Sequence, residues 1–171
     1  MCYFIYIASP LTLSEIRSMV PRGAVADLAS PRDFRALKSL YPDVQTAARL
    51  LIGRCSCDLV HPRQADVRED ESHLRDRYRR SGVHRGLVIP ALERHRRATG
   101  LRAPAGGWPE AFAKFVAEHA RNAGPTLYHL QFSSQDDPLA TPGALRNLTV
   151  GQVLAAPEGW LMEGSPTLVN R

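Results

Sequence analysis

Two hydrophobic patterns predict the strands at the centre of the fold. Residues 2–8, CYFIYIA, are apolar at successive positions and rich in aromatic and β-branched side chains. Such a run is typical of a strand covered on both faces. Residues 125–134, PTLYHLQFSS, instead alternate apolar positions with the polar residues His129, Gln131 and Ser133. We therefore predict a buried central strand near the start of the chain and a later strand with one polar face.

Capping residues mark the starts of three helices. Thr12 precedes Glu15 by three positions, which is capping-box spacing, and the same spacing recurs at Thr149. Ser30 is followed by a proline and by an acidic residue in the first turn, which favours a helix that ends near Leu40. The helices predicted from these signals span residues 13–20, 31–40 and 150–156.

Residues 109–122 also predict a helix, because their apolar positions fall on one stripe. Two more helices are predicted at 69–81 and 83–98. A strand is predicted over residues 51–59, whereas the TAARLLI segment at 46–52 could extend a helix or start a strand. Two short strands are expected around the Gly-Ser-Pro turn near the end of the chain. The order of elements predicts an α+β fold, a single domain over residues 1–171 with a mixed or antiparallel sheet and four to six helices.

Composition agrees with a globular protein rather than a disordered or fibrous one. The 171 residues are 44% hydrophobic and 23% charged, which is enough to build one core. No apolar run approaches the roughly 20 residues that cross a bilayer, and no basic residue precedes the apolar start, unlike in a secretory signal. We therefore expect a cytoplasmic protein without a membrane partner.

Basic charge is concentrated in one region. The net charge is +5, and residues 61–98 hold ten arginines against six acidic residues. A surface formed by Arg75, Arg77, Arg79 and Arg80 could make weak contacts with nucleic acid or an acidic protein partner. The acidic residues interleaved with these arginines favour a second interpretation, a solvated face of salt bridges.

The clearest candidate for chemistry is the Cys-Ser-Cys sequence at residues 55–57. In a strand, Cys55 and Cys57 would point to the same face with Cα atoms roughly 6.6–7 Å apart. That separation strains a disulfide, whereas two thiolates easily share one ion at a metal–sulfur distance of about 2.3 Å. The pair therefore indicates a transition-metal site, with zinc as the first choice and copper(I) as the second.

Two residues are candidates for a third ligand. Cys2 would approach Cys55 if the first strand neighbours the cysteine strand, and His61 could join only if the chain turns at Asp58. An open fourth position would then accept His129, another side chain or water, and would leave room for a small-molecule ligand. The competing interpretation is that the three cysteines are simply packed in the core, where free thiols are common.

His129 is the residue that the sequence favours for proton transfer, whether at a metal or beside a thiol. A cysteine activated by this histidine would define a different class, a thiol-dependent hydrolase or transferase. Neither a P-loop nor a dinucleotide-binding glycine motif occurs. The sequence thus leaves the reaction, the substrate and the oligomeric state open, and whether the protein is an enzyme stays undecided.

Overall fold

A computed structural model describes residues 2–60, 75–82, 84, 86–90, 107–134, 137–140 and 142–171. Within these residues six strands form one mixed sheet and seven segments are helical. The predicted α+β class is therefore confirmed, with one helix more than the upper expectation of six.

The elements follow one another without internal repetition. The strands are β1 (Cys2–Ser9), β2 (Val25–Leu28), β3 (Thr46–Leu51), β4 (Thr126–Ser133), β5 (Arg146–Thr149) and β6 (Thr167–Asn170). The helices are α1 (Leu13–Met19), α2 (Pro31–Leu40), α3 (Cys57–Val60), the helical residues 75–80 (α4) and 86–90 (α5), α6 (Trp108–Ala123) and α7 (Val150–Ala155). The capping boxes at Thr12 and Thr149 and the Ser30 cap form as predicted.

Strand β1 occupies the interior of the sheet, whose order is β2-β3-β1-β4-β6-β5. It pairs antiparallel with β3 on one side and with β4 on the other, whereas β5 and β6 are parallel. Because both neighbours use its backbone groups, β1 can be buried at little cost in hydrogen bonding. The prediction of a central buried strand is confirmed.

The two faces of the sheet carry separate hydrophobic clusters. On the α6 face, Ile5, Ile7 and Tyr128 pack with the apolar stripe of helix α6, for example Phe112. On the α2 face, the alternate residues of β1 and β4 pack with helix α2 through Leu37. Side chains opposite each other in the register therefore share one of these two faces.

The predicted strand over residues 51–59 is wrong. Strand β3 ends at Leu51, and the short helix α3 begins at Cys57. The cause is a tight turn in which Gly53 has a φ of +67° and the Ile52 amide donates to the Cys55 carbonyl over 2.7 Å. A glycine tolerates this left-handed conformation, which most side chains resist. The turn also adds the seventh helix.

The end of the chain differs from its prediction too. Only β6 forms there, and Glu163 contributes a single bridge to Leu130 rather than a second strand. Strand β5 was not predicted, because its four residues, RNLT, lack an apolar pattern. Strand β5 forms because it pairs with β6, and the sequence of β5 alone does not indicate a strand.

The chain divides into two compact units, one made of Met1–Pro62 with Ala103–Arg171 and the other of Arg63–Arg102. All six strands belong to the first unit, and α4 and α5 belong to the second. A single domain over the whole chain remains a prediction. In the part of the chain that is described, no helix combines the length and apolarity needed to span a membrane.

Candidate metal centre

Three cysteines converge at one end of the sheet. The Sγ atoms of Cys2, Cys55 and Cys57 all lie within 4.8 Å of one another, and each residue is partly buried. Cys2 opens β1, Cys55 lies in the turn after β3, and Cys57 is the first residue of α3. Because three thiols this close can bind one cation after losing their protons, the cluster could hold a metal ion.

Ser56 anchors the segment that carries two of these thiols. Its side chain is fully buried, and its backbone N–H donates to the Tyr3 carbonyl over 2.8 Å. The Ser56 hydroxyl accepts from the Ile5 amide over 2.8 Å and donates to the Leu50 carbonyl. The serine therefore joins the ends of β1 and β3, and the cysteines on either side of it are held beside Cys2.

The surroundings of Cys55 favour its neutral thiol form. Burial raises the pKa of Cys55 to about 12, and the neighbouring Cys57 and Cys2 thiols act in the same direction through their charge. Cys57 accepts a hydrogen bond from the Tyr3 backbone N–H at 3.4 Å. A bound cation would reverse this preference, since it stabilises the thiolate form of its ligands.

His61, the other predicted ligand, lies outside the described residues. The condition set for it, a turn of the chain at Asp58, is met because α3 starts at Cys57 instead of a continuing strand. Its role as a ligand therefore stays a prediction.

His129 lies apart from the thiols along the sheet. It is opposite Tyr6 in the register, whereas Cys2 is opposite Ser133, four positions further along β4. Four strand residues span about 13 Å, so the geometry does not support a Cys–His pair. His129 is only 1% exposed, and burial lowers its pKa to about 4. Its proposed part in proton transfer stays a prediction.

The polar face predicted for β4 is present, and it is buried. His129, Gln131 and Ser133 all point to the α2 face and are covered, whereas Phe132 on the opposite face is 41% exposed. Gln131 on this face is hydrogen-bonded to the segment that follows β4. The Gln131 side chain donates to the Pro138 carbonyl over 3.0 Å and accepts a hydrogen bond from the Ala140 backbone N–H over 2.8 Å. The polar pattern of β4 thus does not mark contact with water, and of its three residues Gln131 is the one with side-chain hydrogen bonds in the part of the chain that is described.

The arginine surface is exposed where it is described. Arg75, Arg77, Arg79 and Arg80 lie on α4 with their side chains in solvent. Arg79 lies 3.7 Å from Asp76 in an exposed ion pair one helical turn away. Such a pair contributes little to stability, and it is the local salt bridge that the second interpretation expected. Binding of nucleic acid or an acidic partner stays a prediction.

A cleft of about 460 Å³ opens on the α6 face near the thiol cluster. Phe112 and Trp160 contribute aromatic side chains to its lining, and Glu158 and Glu163 contribute carboxylates. Tyr3 also lines it, with its hydroxyl 3.5 Å from the Glu163 carboxylate. Tyr3 therefore links the cleft to the thiol cluster. Its backbone N–H donates to the Cys57 sulfur, and its side chain lines the cleft on the opposite face of the sheet from Cys2.

Comparison with known protein families, with characterised proteins and with solved structures finds no match for this chain. The geometry of the thiol cluster is therefore the main indication of function. Sequence reasoning identified the three cysteines but missed Ser56 and the Tyr3 amide. A serine between two cysteines carries no specific signal, and the backbone donor depends on how β1 meets the turn after β3.

Proposed function

We propose that this protein binds a transition-metal ion, zinc first, through the thiolates of Cys2, Cys55 and Cys57. The observation that carries the proposal is the mutual approach of the three Sγ atoms to within 4.8 Å. Four-coordinate zinc with bonds of about 2.3 Å holds its sulfur ligands about 3.8 Å apart. The cluster therefore needs a contraction of about 1 Å at most, which side-chain rotation can supply.

Charge favours a divalent ion over copper(I). Three thiolates with Zn²⁺ leave one net negative charge in a partly buried position, whereas three thiolates with Cu⁺ leave two. Uncompensated buried charge is costly, so the divalent ion suits this site better. Thiolate ligands also select zinc over magnesium or calcium, which prefer oxygen.

The fourth position decides between a structural and a catalytic centre. A closed site needs a fourth protein ligand, for which His61 is the candidate nearest in sequence. In an open site the fourth position would hold water or a small-molecule ligand, and the metal ion, as a Lewis acid, could activate it. We propose catalysis only for an open site, which requires that the protein bind metal without His61.

The test is elemental analysis of the purified, untagged chain beside Cys2→Ser, Cys55→Ser and Cys57→Ser. We expect near-stoichiometric zinc in the parent protein and its loss in each variant. Free zinc at about 100 times its Kd should also raise the free energy of unfolding by about 2.7 kcal/mol, provided that the unfolded chain does not bind it. A denaturant titration with and without zinc measures this.

His61→Ala, compared with His84→Ala, separates the two kinds of centre. His84 is an exposed histidine and serves as the matched control. Loss of zinc only in His61→Ala indicates a closed site with His61 as a ligand, whereas retention in both variants means that the fourth position holds water, a small molecule or another side chain. A parent protein without any bound metal, and without added stability from zinc, copper or iron, would refute the proposal and leave the cysteines as packing residues.

A further inference from the structure

Ser133 lies directly opposite Cys2 in the pairing of β4 with β1. Directly paired residues of an antiparallel sheet point to the same face, with Cβ atoms about 4.5–5.5 Å apart. The Ser133 hydroxyl and the Cys2 thiol are therefore neighbours on the α2 face. This is the end of the sheet at which the three sulfur atoms meet.

The Ser133 hydroxyl is buried and unused. The residue is 4% exposed, and among the described residues its Oγ atom has no hydrogen-bond partner. Buried hydroxyls nearly always have a partner, so an exception calls for a physical reason. Gln131, two positions earlier on the same face, uses both ends of its amide on the backbone of residues 138 and 140. His129, on the same face, also lacks a partner among the described residues, but it lies opposite Tyr6, so Ser133 is the unpaired group that lies opposite Cys2.

We propose that Ser133 is a positioning residue of the metal centre, whose hydroxyl donates a hydrogen bond to the Cys2 thiolate when a metal ion is bound. The inference rests on the proposed function. Binding of the ion removes the thiol proton and turns Sγ into an anionic acceptor, to which a hydroxyl donates a strong, charge-assisted bond. The Tyr3 amide already makes the equivalent contact with Cys57. Two of the three sulfurs would then have a donor.

Hydrogen-bonding partners of this kind hold ligands in place, and their loss typically lowers metal affinity by about 10–100-fold. Ser133→Ala in the full chain should therefore weaken zinc binding about tenfold in competition with a chelator of known affinity. With Co²⁺ as the probe, the sulfur-to-metal charge-transfer band should shift, because a thiolate without its hydrogen bond is a better electron donor. Ser133→Thr keeps the hydroxyl and should retain both the affinity and the band.

Thr167→Val is the matched control. Thr167 is fully buried, and its hydroxyl also has no partner among the described residues, but the residue lies opposite Tyr128 on the α6 face. Removing its hydroxyl should leave zinc affinity and the Co²⁺ spectrum unchanged. An equal loss of affinity in Ser133→Ala and Thr167→Val would mean a general effect on packing and would overturn the proposal.

Ser133→Cys tests the same geometry by gain of function. A thiol at this position would supply a fourth thiolate beside Cys2, so zinc affinity should rise and the Co²⁺ charge-transfer band should intensify. Parent-like metal binding in both Ser133→Ala and Ser133→Cys would overturn the role of Ser133 while leaving the three-cysteine site intact. Absence of metal from the parent protein would overturn both proposals, so the two failures are distinguishable.

Discussion

The two faces of the sheet bury histidines in opposite ways. On the α6 face, His119 is bonded at both ring nitrogens, to the Ser9 hydroxyl and to the Tyr128 hydroxyl, each over 2.8 Å. On the α2 face, His129 is equally buried, yet neither ring nitrogen has a partner among the described residues. The first histidine is part of a chain of hydrogen bonds from Ser9 to Tyr128, whereas the second is a buried polar group without a hydrogen-bond partner in the part of the chain that is described.

This difference in hydrogen bonding distinguishes buried polar groups that stabilise the fold from those that are candidates for binding a ligand. A buried network whose groups hydrogen-bond one another stabilises one arrangement of the core. Unsatisfied buried groups are costly and are therefore expected where something else is bound. Ser133 shares the α2 face with His129 and lies beside the thiol cluster. The α2 face is thus the side of the sheet with unused hydrogen-bonding capacity near the proposed metal.

Acid should give the largest effect, because it acts on both histidines. Burial lowers the pKa of His119 and of His129 from 6.5 to about 4. As the pH falls, the unfolded chain gains protons below about 6.5 and the folded chain only near 4, so stability is lost between these values. Each histidine should remove about 3 kcal/mol from the free energy of unfolding. Urea denaturation from pH 7.5 to pH 4 measures the loss, and a flat profile would contradict it.

His119→Leu should break the chain of hydrogen bonds from Ser9 to Tyr128 and lower the free energy of unfolding by roughly 3 kcal/mol at pH 7.5. The substitution leaves the hydroxyls of Ser9 and Tyr128 buried without their partner, at about 1–3 kcal/mol each. The measurement is the urea midpoint at constant slope. A cost below about 1 kcal/mol would mean that the chain of hydrogen bonds contributes little.

His129→Leu is the matched change on the other face and should alter stability by less than about 1 kcal/mol at pH 7.5. It removes two unpaired nitrogens and keeps a similar volume, which can even be stabilising. It should also halve the acid-induced loss of stability. Zinc content should stay at the parent level, and a loss of metal would instead bring His129 into the site.

Ser9→Ala and Ser133→Ala compare two buried hydroxyls in the metal-free protein. Ser9 also accepts a hydrogen bond from the Leu11 amide over 3.1 Å, so its loss should cost about 1–2 kcal/mol. Ser133→Ala should stay within about 0.5 kcal/mol of the parent protein, because no described group loses a partner. A large cost for Ser133→Ala without metal would reveal a structural role for its hydroxyl.

Thr167→Val should have the smallest effect on stability, and it tests whether an unpaired buried hydroxyl on the α6 face has an energetic cost. Thr167 is an unpaired hydroxyl on the otherwise satisfied α6 face. Valine fills the same space without burying a polar atom, so we expect a gain of a few tenths of a kcal/mol. A marked loss of stability would show that unpaired status in the structure is a poor guide to energy.

Local signals predicted much of the fold because they depend on neighbouring residues alone. The capping residues Thr12, Ser30 and Thr149 satisfy backbone groups within their own helices, and their helices form as expected. The apolar run of β1 requires cover on both faces whatever provides it. Where a signal depended on distant partners, as in the strand over residues 51–59, one glycine turn outweighed the apparent pattern.

What the sequence determined by itself was the α+β class, the buried central strand and the presence of three cysteines suited to a soft metal. The tertiary structure decided that Cys2 joins Cys55 and Cys57, because β1 and β3 are neighbours and Ser56 ties the turn to both. It also decided that the polar side of β4 is buried and that Gln131 on this side bonds the backbone of residues 138 and 140. Proximity between residues far apart in the chain depends on strand order and register, which no local pattern specifies.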